Sequence, residues 1–178
     1  MLRVVLLDAS GSMEPAWDVA WDVVFNTVRK ASFILLAFKA RRTDNVPDEC
    51  THTYHNAVIY DLGCAFSRLG IHRLRKRPRP EDVGLRFSTR TPLNDAIIFV
   101  IEQLEKRGYP YELIVVSDNR DTASWYRMEE VVQRKRGAAC LRRLVLECVG
   151  SCLQKYLEPY DSVYVHGARI LGPPSPFL

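Results

Sequence analysis

Two hydrophobic patterns alternate along the chain. Short, mostly apolar runs with the length of buried strands alternate with segments whose apolar residues recur every three or four positions, as on one face of a helix. We expect strands at Leu2 to Leu7, Tyr54 to Leu62, Leu113 to Val116, Leu141 to Val149 and Ser162 to Leu171. This alternation predicts a three-layer α/β fold, with a mostly parallel central sheet and helices on both faces.

The first helical pattern is the longest. Apolar residues recur at helical spacing from Glu14 to Phe38, and polar residues occupy the opposite face, so one long helix is the favoured prediction. The segment Phe33 to Phe38 is apolar throughout, and a second strand there is the competing interpretation. The sequence by itself leaves this choice open.

Turn and breaker residues set the remaining boundaries. Thr91 and Pro92 have the residue types of a helix cap and a first helical turn, and Gly108 is expected to end the helix that they open. We also expect helices at Ser124 to Arg136 and at Ser151 to Leu157. A loop is expected at Thr43 to His52, and a short edge strand at Ile71 to Lys76.

The composition is that of an ordinary globular domain. The 178 residues are 47% hydrophobic and 26% charged, with 25 basic against 21 acidic side chains and a formal net charge of +4. These values exclude a disordered or collagen-like chain and leave enough apolar residues for one sizeable core. We expect one domain over residues 1–171, followed by a Pro-rich tail at 172–178.

The chain shows no pattern typical of a membrane span or of export. No window approaches the roughly 18 uncharged apolar residues that a membrane-spanning helix needs. The apolar run at the amino terminus meets a carboxylate at Asp8, which leaves no room for the apolar stretch and cleavage site of a signal peptide. We therefore expect a cytoplasmic protein.

Five cysteines are irregularly spaced, unlike those of a disulfide-rich secreted domain. Reduced thiols are therefore expected, and an intracellular disulfide is credible if the source is a hyperthermophile. One group has the residue types of a zinc site: Cys50, His52, His55 and Cys64. Its spacing matches no common zinc finger, so incidental or buried positions are the favoured interpretation.

Oxygen-bearing side chains follow the ends of predicted strands. The first strand leads into Asp8-Ala9-Ser10-Gly11-Ser12, Thr91 precedes the middle helix, and Asp118 follows a later strand. Ligands of open parallel sheets bind outside the carboxyl ends of the strands, so these side chains are expected to converge. Carboxylate and hydroxyl oxygens are the hard donors that Mg²⁺ and Mn²⁺ prefer. The predicted metal ligands are Asp8, Ser10, Ser12, Thr91 and Asp118.

These motifs resemble the metal-ion-dependent adhesion site of von Willebrand factor type A domains. The resemblance rests on Asp8-Ala9-Ser10-Gly11-Ser12-Met13, Thr91-Pro92-Leu93 and Val115-Val116-Ser117-Asp118, and it covers nearly the whole chain. It implies a Rossmann-like fold with one antiparallel edge strand. It also implies a Mg²⁺ or Mn²⁺ ion that is held by the five ligands above, with Thr89 as the alternative threonine. An acidic side chain of a partner protein would complete the coordination, so the implied function is cation-dependent protein binding.

A basic segment offers a different kind of partner. Its members are Arg68, Arg73, Arg75, Lys76, Arg77 and Arg79. Such a patch can bind nucleic acid, but no pattern of stacking aromatic residues accompanies it, and a solvated edge strand is the favoured interpretation. Metal-assisted hydrolysis is a third alternative. The sequence has no Gly-rich phosphate loop and no nucleophile elbow, so we expect a binding module and not an enzyme.

Overall fold

The computed structural model describes residues 1–28, 32–68, 70, 82, 84–152 and 157–170. Its strands are β1 (Leu2–Asp8), β2 (Phe33–Lys39), β3 (Thr51–Tyr54), β4 (Ala57–Asp61), β5 (Tyr111–Ser117), β6 (Leu141–Cys152) and β7 (Ser162–Ile170). Its helices are α1 (Trp17–Val28), α2 (Leu62–Arg68), α3 (Leu93–Arg107) and α4 (Met128–Gly137), and short 3-10 segments lie at Gly11–Ala16 and Asp48–Cys50. Within this part of the chain, no helix is both long and apolar enough to cross a membrane.

The seven strands form one sheet in the order β3-β4-β2-β1-β5-β6-β7. Each pairing from β2 through β1, β5 and β6 to β7 is parallel, whereas β4 runs antiparallel to both β2 and β3. The prediction of a mostly parallel α/β sheet is therefore confirmed, and one strand is reversed. That strand lies one position in from the edge, because a tight hairpin places β3 outside it.

Helices cover both faces of the sheet and give the three-layer, Rossmann-like arrangement. α1 and α2 pack on the face to which Val5 and Leu7 point. α3 and α4 pack on the opposite face, to which Val4 and Leu6 point. All four of these β1 side chains are fully buried. The central position of β1 explains its unbroken apolar run, because a strand covered on both faces needs apolar residues at successive positions.

The predicted long helix from Glu14 to Phe38 is wrong, and the competing strand is correct. α1 ends at Val28, and Phe33–Lys39 forms β2, while residues 29–31 lie outside the described chain. β2 pairs in parallel with β1. A segment that is apolar on all sides is better placed inside a sheet than in a helix with one face in water, because both of its faces are then buried.

A hairpin replaces the single strand predicted over Tyr54 to Leu62. β3 and β4 are joined by a turn at His55 and Asn56, and His55 has a positive φ of 50°. Leu62 then begins α2, a short helix that the sequence pattern did not predict. The edge strand predicted at Ile71 to Lys76 lies outside the described residues.

The later helices begin at other residues than predicted. The helix expected from Ser124 is α4, which begins at Met128, because the preceding residues form a hydrogen-bonded loop. Gly108 ends α3 in the left-handed conformation, as expected of a C-terminal glycine. The helix predicted from Ser151 is wrong at its start, because β6 continues to Cys152, and residues 153–156 lie outside the described chain.

A disulfide joins Cys50 to Cys64, with the two Cα atoms 5.6 Å apart. The expectation of reduced thiols is therefore wrong for this pair, and Cys148 is also disulfide-bonded. The bond links the 3-10 segment before β3 to α2. The bond also removes both thiolates from the alternative zinc site. His52, another member of that site, packs beside Phe99, with the two ring centroids 6.0 Å apart.

Candidate metal centre

Asp8 ends β1 at the carboxyl edge of the sheet and is fully buried. Its Oδ1 accepts a hydrogen bond from the Ser10 amide at 2.9 Å. Its Oδ2 accepts the hydroxyl of Ser117, at the end of β5, at 2.7 Å. These two bonds fix the Asp8 carboxylate where β1 and β5 end side by side.

The turn after β1 places two hydroxyls together. Ser10 Oγ lies 3.3 Å from Ser12 Oγ, and Ser10 is buried whereas Ser12 is exposed. The amide of Met13 donates to the Ser10 carbonyl at 3.1 Å, which closes the turn and begins the 3-10 segment. The centre thus has a buried side at Asp8 and an open side at Ser12.

Asp118 follows β5 and is also fully buried. Neither of its carboxylate oxygens accepts a hydrogen bond of standard geometry. The Ser12 hydroxyl, the charge of Arg120 and the backbone amides of Arg120 and Asp118 nevertheless lie close enough to favour its ionised form. Burial has the larger effect and raises the pKa of Asp118. A buried carboxylate whose donors are poorly aligned is unfavourable unless a proton or a cation compensates it.

The charge of Asp118 also acts on Asp8. Burial, and then the negative charge of Asp118, raise the pKa of Asp8 to about 7, against the opposing effect of its hydrogen bonds. A divalent cation between the two groups would cancel their repulsion and would give the Asp118 oxygens a partner. Two carboxylates with neutral hydroxyls are a donor set that Mg²⁺ and Mn²⁺ accept. The donor types present therefore suit the predicted ion, and its binding stays a prediction.

The loop that leads into α3 packs against the turn after β1. The Ser88 amide donates to the Ala9 carbonyl, and the Gly11 amide donates to the Thr89 carbonyl, both at 3.0 Å. These bonds carry Thr91 to the same edge of the sheet. Thr91 itself is only 2% exposed.

The two candidate threonines differ in their contacts. The Thr89 hydroxyl accepts a hydrogen bond from the backbone amide of Ala40 at 3.2 Å, so one of its lone pairs is already used. Thr91 does not cap α3, because Pro92 holds the N-cap position and makes no side-chain cap bond. The Thr91 backbone exchanges two hydrogen bonds with Thr122, each 2.9 Å long. The bond of its hydroxyl to Ala40 makes Thr89 the less suitable ligand, and Thr91 stays the predicted one.

A buried lysine holds the same loop from the side of β2. Lys39 pairs with Asp44 at 2.9 Å, and both side chains are fully buried. Its Nζ also donates to the Ser88 hydroxyl at 2.8 Å and to the Arg86 carbonyl at 2.5 Å. Burial lowers the pKa of Lys39, and the hydrogen bond and charge of Asp44 oppose that shift. Sequence reasoning missed this group, and its one signal was a lysine at the end of an apolar strand.

The loop after β5 is fixed by two further carboxylates that sequence reasoning also missed. Asp95, in the first turn of α3, is fully buried. Its carboxylate accepts three backbone amides, from Asn56, Trp125 and Tyr126, at 3.1, 2.9 and 2.8 Å. Asp121 accepts the Asn94 amide at 2.8 Å. The loop that carries Asp118 is thereby tied to α3 and to the β3–β4 turn.

The predicted ligands occupy neighbouring positions at the carboxyl edge. Contacts among them join Asp8, Ser10, Ser12 and Asp118, and Thr91 lies in the loop that packs on their turn. Over the described ranges, no three or more His, Cys, Asp and Glu side chains form a group that could hold a metal. A metal site at this edge therefore depends on hydroxyl oxygens beside its two carboxylates.

The basic segment is described only at its start. Arg68 pairs with Glu49 at 3.1 Å, and both side chains are largely exposed. The other predicted members lie outside the described residues: Arg73, Arg75, Lys76, Arg77 and Arg79. Their arrangement as a nucleic-acid-binding patch stays a prediction.

Comparisons with known proteins support the fold and identify no family. No family model matches the sequence, and no curated protein matches it. Among solved structures, proximal thread matrix protein 1 from the mussel byssus is similar, with a TM-score of 0.52 at 14% identity. The match covers 94% of this chain and 43% of that chain, so this chain spans less than half the length of its structural neighbour. At this identity the likeness extends to the fold alone.

Proposed function

We propose that this protein is a cation-dependent binding module of the von Willebrand factor type A kind, which recognises an acidic side chain of a partner protein. The observation that carries the proposal is the pair of buried carboxylates at the carboxyl edge, Asp8 and Asp118, of which the charge of Asp118 disfavours that of Asp8. The Asp118 oxygens, which lack ordinary hydrogen bonds, are the feature that a bound cation best explains.

Each side chain of the centre has a distinct role in this proposal. Asp8 and Asp118 balance the charge of Mg²⁺ or Mn²⁺, while the neutral oxygens come from Ser10, Ser12 and Thr91. A centre with only two acidic ligands retains affinity for a further carboxylate from outside. Because Ser12 is exposed and Asp8 is buried, the partner carboxylate approaches from the side of Ser12.

The loops around the centre are held in place before any partner arrives. Lys39 anchors the loop that leads to Thr91, and Asp95 anchors the loop that follows Asp118. Loops that are already ordered lose less conformational entropy on binding, which favours recognition by a surface of fixed shape. Such support is what the proposed binding function requires.

The cellular location expected from the sequence stays a prediction. A disulfide such as Cys50–Cys64 is common in oxidising compartments and rare in the cytosol, except in hyperthermophiles. A cytoplasmic location therefore requires either such a source or reduction of this bond in the cell.

A pull-down with the immobilised protein tests the proposal. We expect capture of a partner in Mg²⁺, its release by EDTA and its recapture when Mg²⁺ is restored. Asp118→Ala should abolish capture without loss of folding, whereas Asp18→Ala, on the exposed side of α1, should retain it. Capture that persists in EDTA or with Asp118→Ala would contradict the proposal.

A further inference from the structure

A cavity of about 310 Å³ opens near the candidate metal centre. It lies between the first turns of α3 and α4, the loop after β5 and the segment before β7. Its inner wall is apolar and includes Leu93, Ile97 and Val131, all of which are buried. Asn119 and Tyr160 line the side toward the centre.

Three hydrogen bonds connect this cavity to the candidate centre. The Tyr160 hydroxyl donates to the side-chain Oδ1 of Asn119 at 3.2 Å, and the backbone N–H of Asn119 donates to Ser117 Oγ at 3.0 Å. Ser117 in turn donates to the Asp8 carboxylate at 2.7 Å. Asp8 is also close enough for its charge to raise the pKa of Tyr160 further, beyond the larger effect of burial. Asn119 directly follows Asp118, and Leu93 follows Thr91 by two residues, so the cavity is lined by near neighbours in sequence of two predicted ligands.

The size and lining of the cavity define what it can hold. Its volume is near the lower limit for small-ligand pockets and is enough for one side chain of leucine or phenylalanine size. The amides at the start of α3 are already occupied, since Asn94 donates to Asp121 and Asp95 donates to the Ser124 hydroxyl. Asp121, Arg127 and Glu129 also line the cavity and bring charges of both signs, so the apolar contact comes from its inner wall.

We propose that this cavity is a specificity pocket, which takes an apolar side chain next to the acidic residue that a partner presents to the metal centre. The inference rests on the proposed function, because the cavity has its place in recognition only if a carboxylate is anchored beside it. The recognised chemistry is then a peptide segment with an Asp or Glu beside a Leu-sized residue.

Two tripeptides with blocked ends test this inference on the Mg²⁺-loaded protein. Acetyl-Leu-Asp-Leu-amide and acetyl-Gly-Asp-Gly-amide each carry one carboxylate and differ only in the flanking side chains. Titrations followed by ¹⁵N NMR should give at least about 10-fold tighter binding of the Leu peptide, the gain expected from burying one such side chain. Shifts of the Leu93 and Ile97 signals should accompany its binding.

A matched pair of variants separates the cavity from the centre. Met128 lines the cavity and is half-buried, so Met128→Trp should occupy the cavity and reduce the Leu peptide to the affinity of the Gly peptide. Gln133→Trp, on an exposed position of the same helix, should retain the preference. Mg²⁺ uptake should be the same in both variants.

The outcomes distinguish this inference from the proposed function. Normal Mg²⁺ uptake with equal affinity for the two peptides overturns the specificity pocket and leaves the metal centre standing. A Leu preference that survives EDTA or Met128→Trp also overturns it, because binding then depends on neither the ion nor the cavity. Absence of Mg²⁺ uptake by the unaltered protein overturns the proposed function itself.

Discussion

The Ser117 hydroxyl donates a hydrogen bond to the Asp8 carboxylate at 2.7 Å, between the paired strands β5 and β1. The same Ser117 oxygen accepts the Asn119 amide at 3.0 Å, so one side chain connects the first carboxylate of the candidate centre to the loop of the second. Its hydrogen bond favours the charged form of Asp8 against the effect of burial. Ser117 is therefore a positioning residue for the centre.

Replacing Ser117 by alanine should weaken Mg²⁺ binding. A lost hydrogen bond to a buried charge costs about 1–3 kcal/mol, and 1.4 kcal/mol corresponds to a factor of about 10 in affinity. Without this donor the pKa of Asp8 should rise further, so calorimetry should show a larger loss at about pH 6 than at about pH 9. Ser67→Ala, on an exposed position of α2, is the control. An equal loss at both pH values would contradict the proposed effect on the pKa.

The free energy of unfolding without metal should fall as the pH rises from about 4 to about 7. The pKa of Asp8 is raised from 3.8 to about 7, so the folded protein binds this proton more tightly than the unfolded chain does. Stability from that proton is fully present below the lower value and is lost above the higher one. Urea unfolding in EDTA should show a loss on the order of 2–3 kcal/mol between about pH 5 and about pH 8, relative to Asp8→Asn.

Saturating Mg²⁺ should offset that loss, because a cation replaces the proton as the partner of the two carboxylates. Parallel pH profiles for the unaltered protein and Asp8→Asn would show that Asp8 has no raised pKa. Identical pH profiles of the unaltered protein in Mg²⁺ and in EDTA would show that the ion does not compensate this charge.

Lys39→Met should destabilise the fold by about 3–5 kcal/mol, because it leaves the Asp44 carboxylate buried without its cation. The double variant Lys39→Met with Asp44→Leu should recover part of that loss, since it removes both charges. Lys106→Met, at an exposed position of α3, should change the free energy of unfolding by less than about 0.5 kcal/mol. Urea unfolding measures all three, and a loss in the double variant as large as in the single one would refute a buried ion pair.

Replacing Cys50 and Cys64 by serine should lower the free energy of unfolding by about 3 kcal/mol, the value expected for a loop of this length. The bond joins the segment before β3 to α2, and neither element carries a predicted metal ligand. Calorimetry of the double variant should therefore give unchanged Mg²⁺ affinity. A weakened affinity would mean that this bond also supports the centre.

The layered α/β fold was predictable because local patterns specify it. β1 and β5 are apolar runs that end at Asp8 and before Asp118, and strand ends of a parallel sheet share one edge. The boundary between α1 and β2 was not predictable, because the helical spacing of apolar residues continues through Phe33–Lys39. Pairing with β1, a long-range contact, decides that β2 is a strand.

The supporting groups of the candidate site could not be predicted for a similar reason. Lys39 and Asp44 are near each other in sequence, but their role depends on Ser88, which is distant in the chain. Asp95 accepts a hydrogen bond from the backbone amide of Trp125. Any residue type other than proline can donate such a bond, so the sequence carries no motif for it. Motifs recognise side chains that bind a ligand, whereas the groups that hold those side chains are found only once the loops are placed in space.

Calorimetric titration of Mg²⁺ into the purified protein at about pH 8 tests the central claim most directly, since Asp8 is then largely ionised. We predict saturable uptake of one ion by the unaltered protein, similar uptake by Asp18→Ala, and none by Asp118→Ala, with the circular dichroism spectrum unchanged. Absence of uptake by the unaltered protein, or equal uptake by Asp118→Ala, would contradict a metal centre at this edge of the sheet.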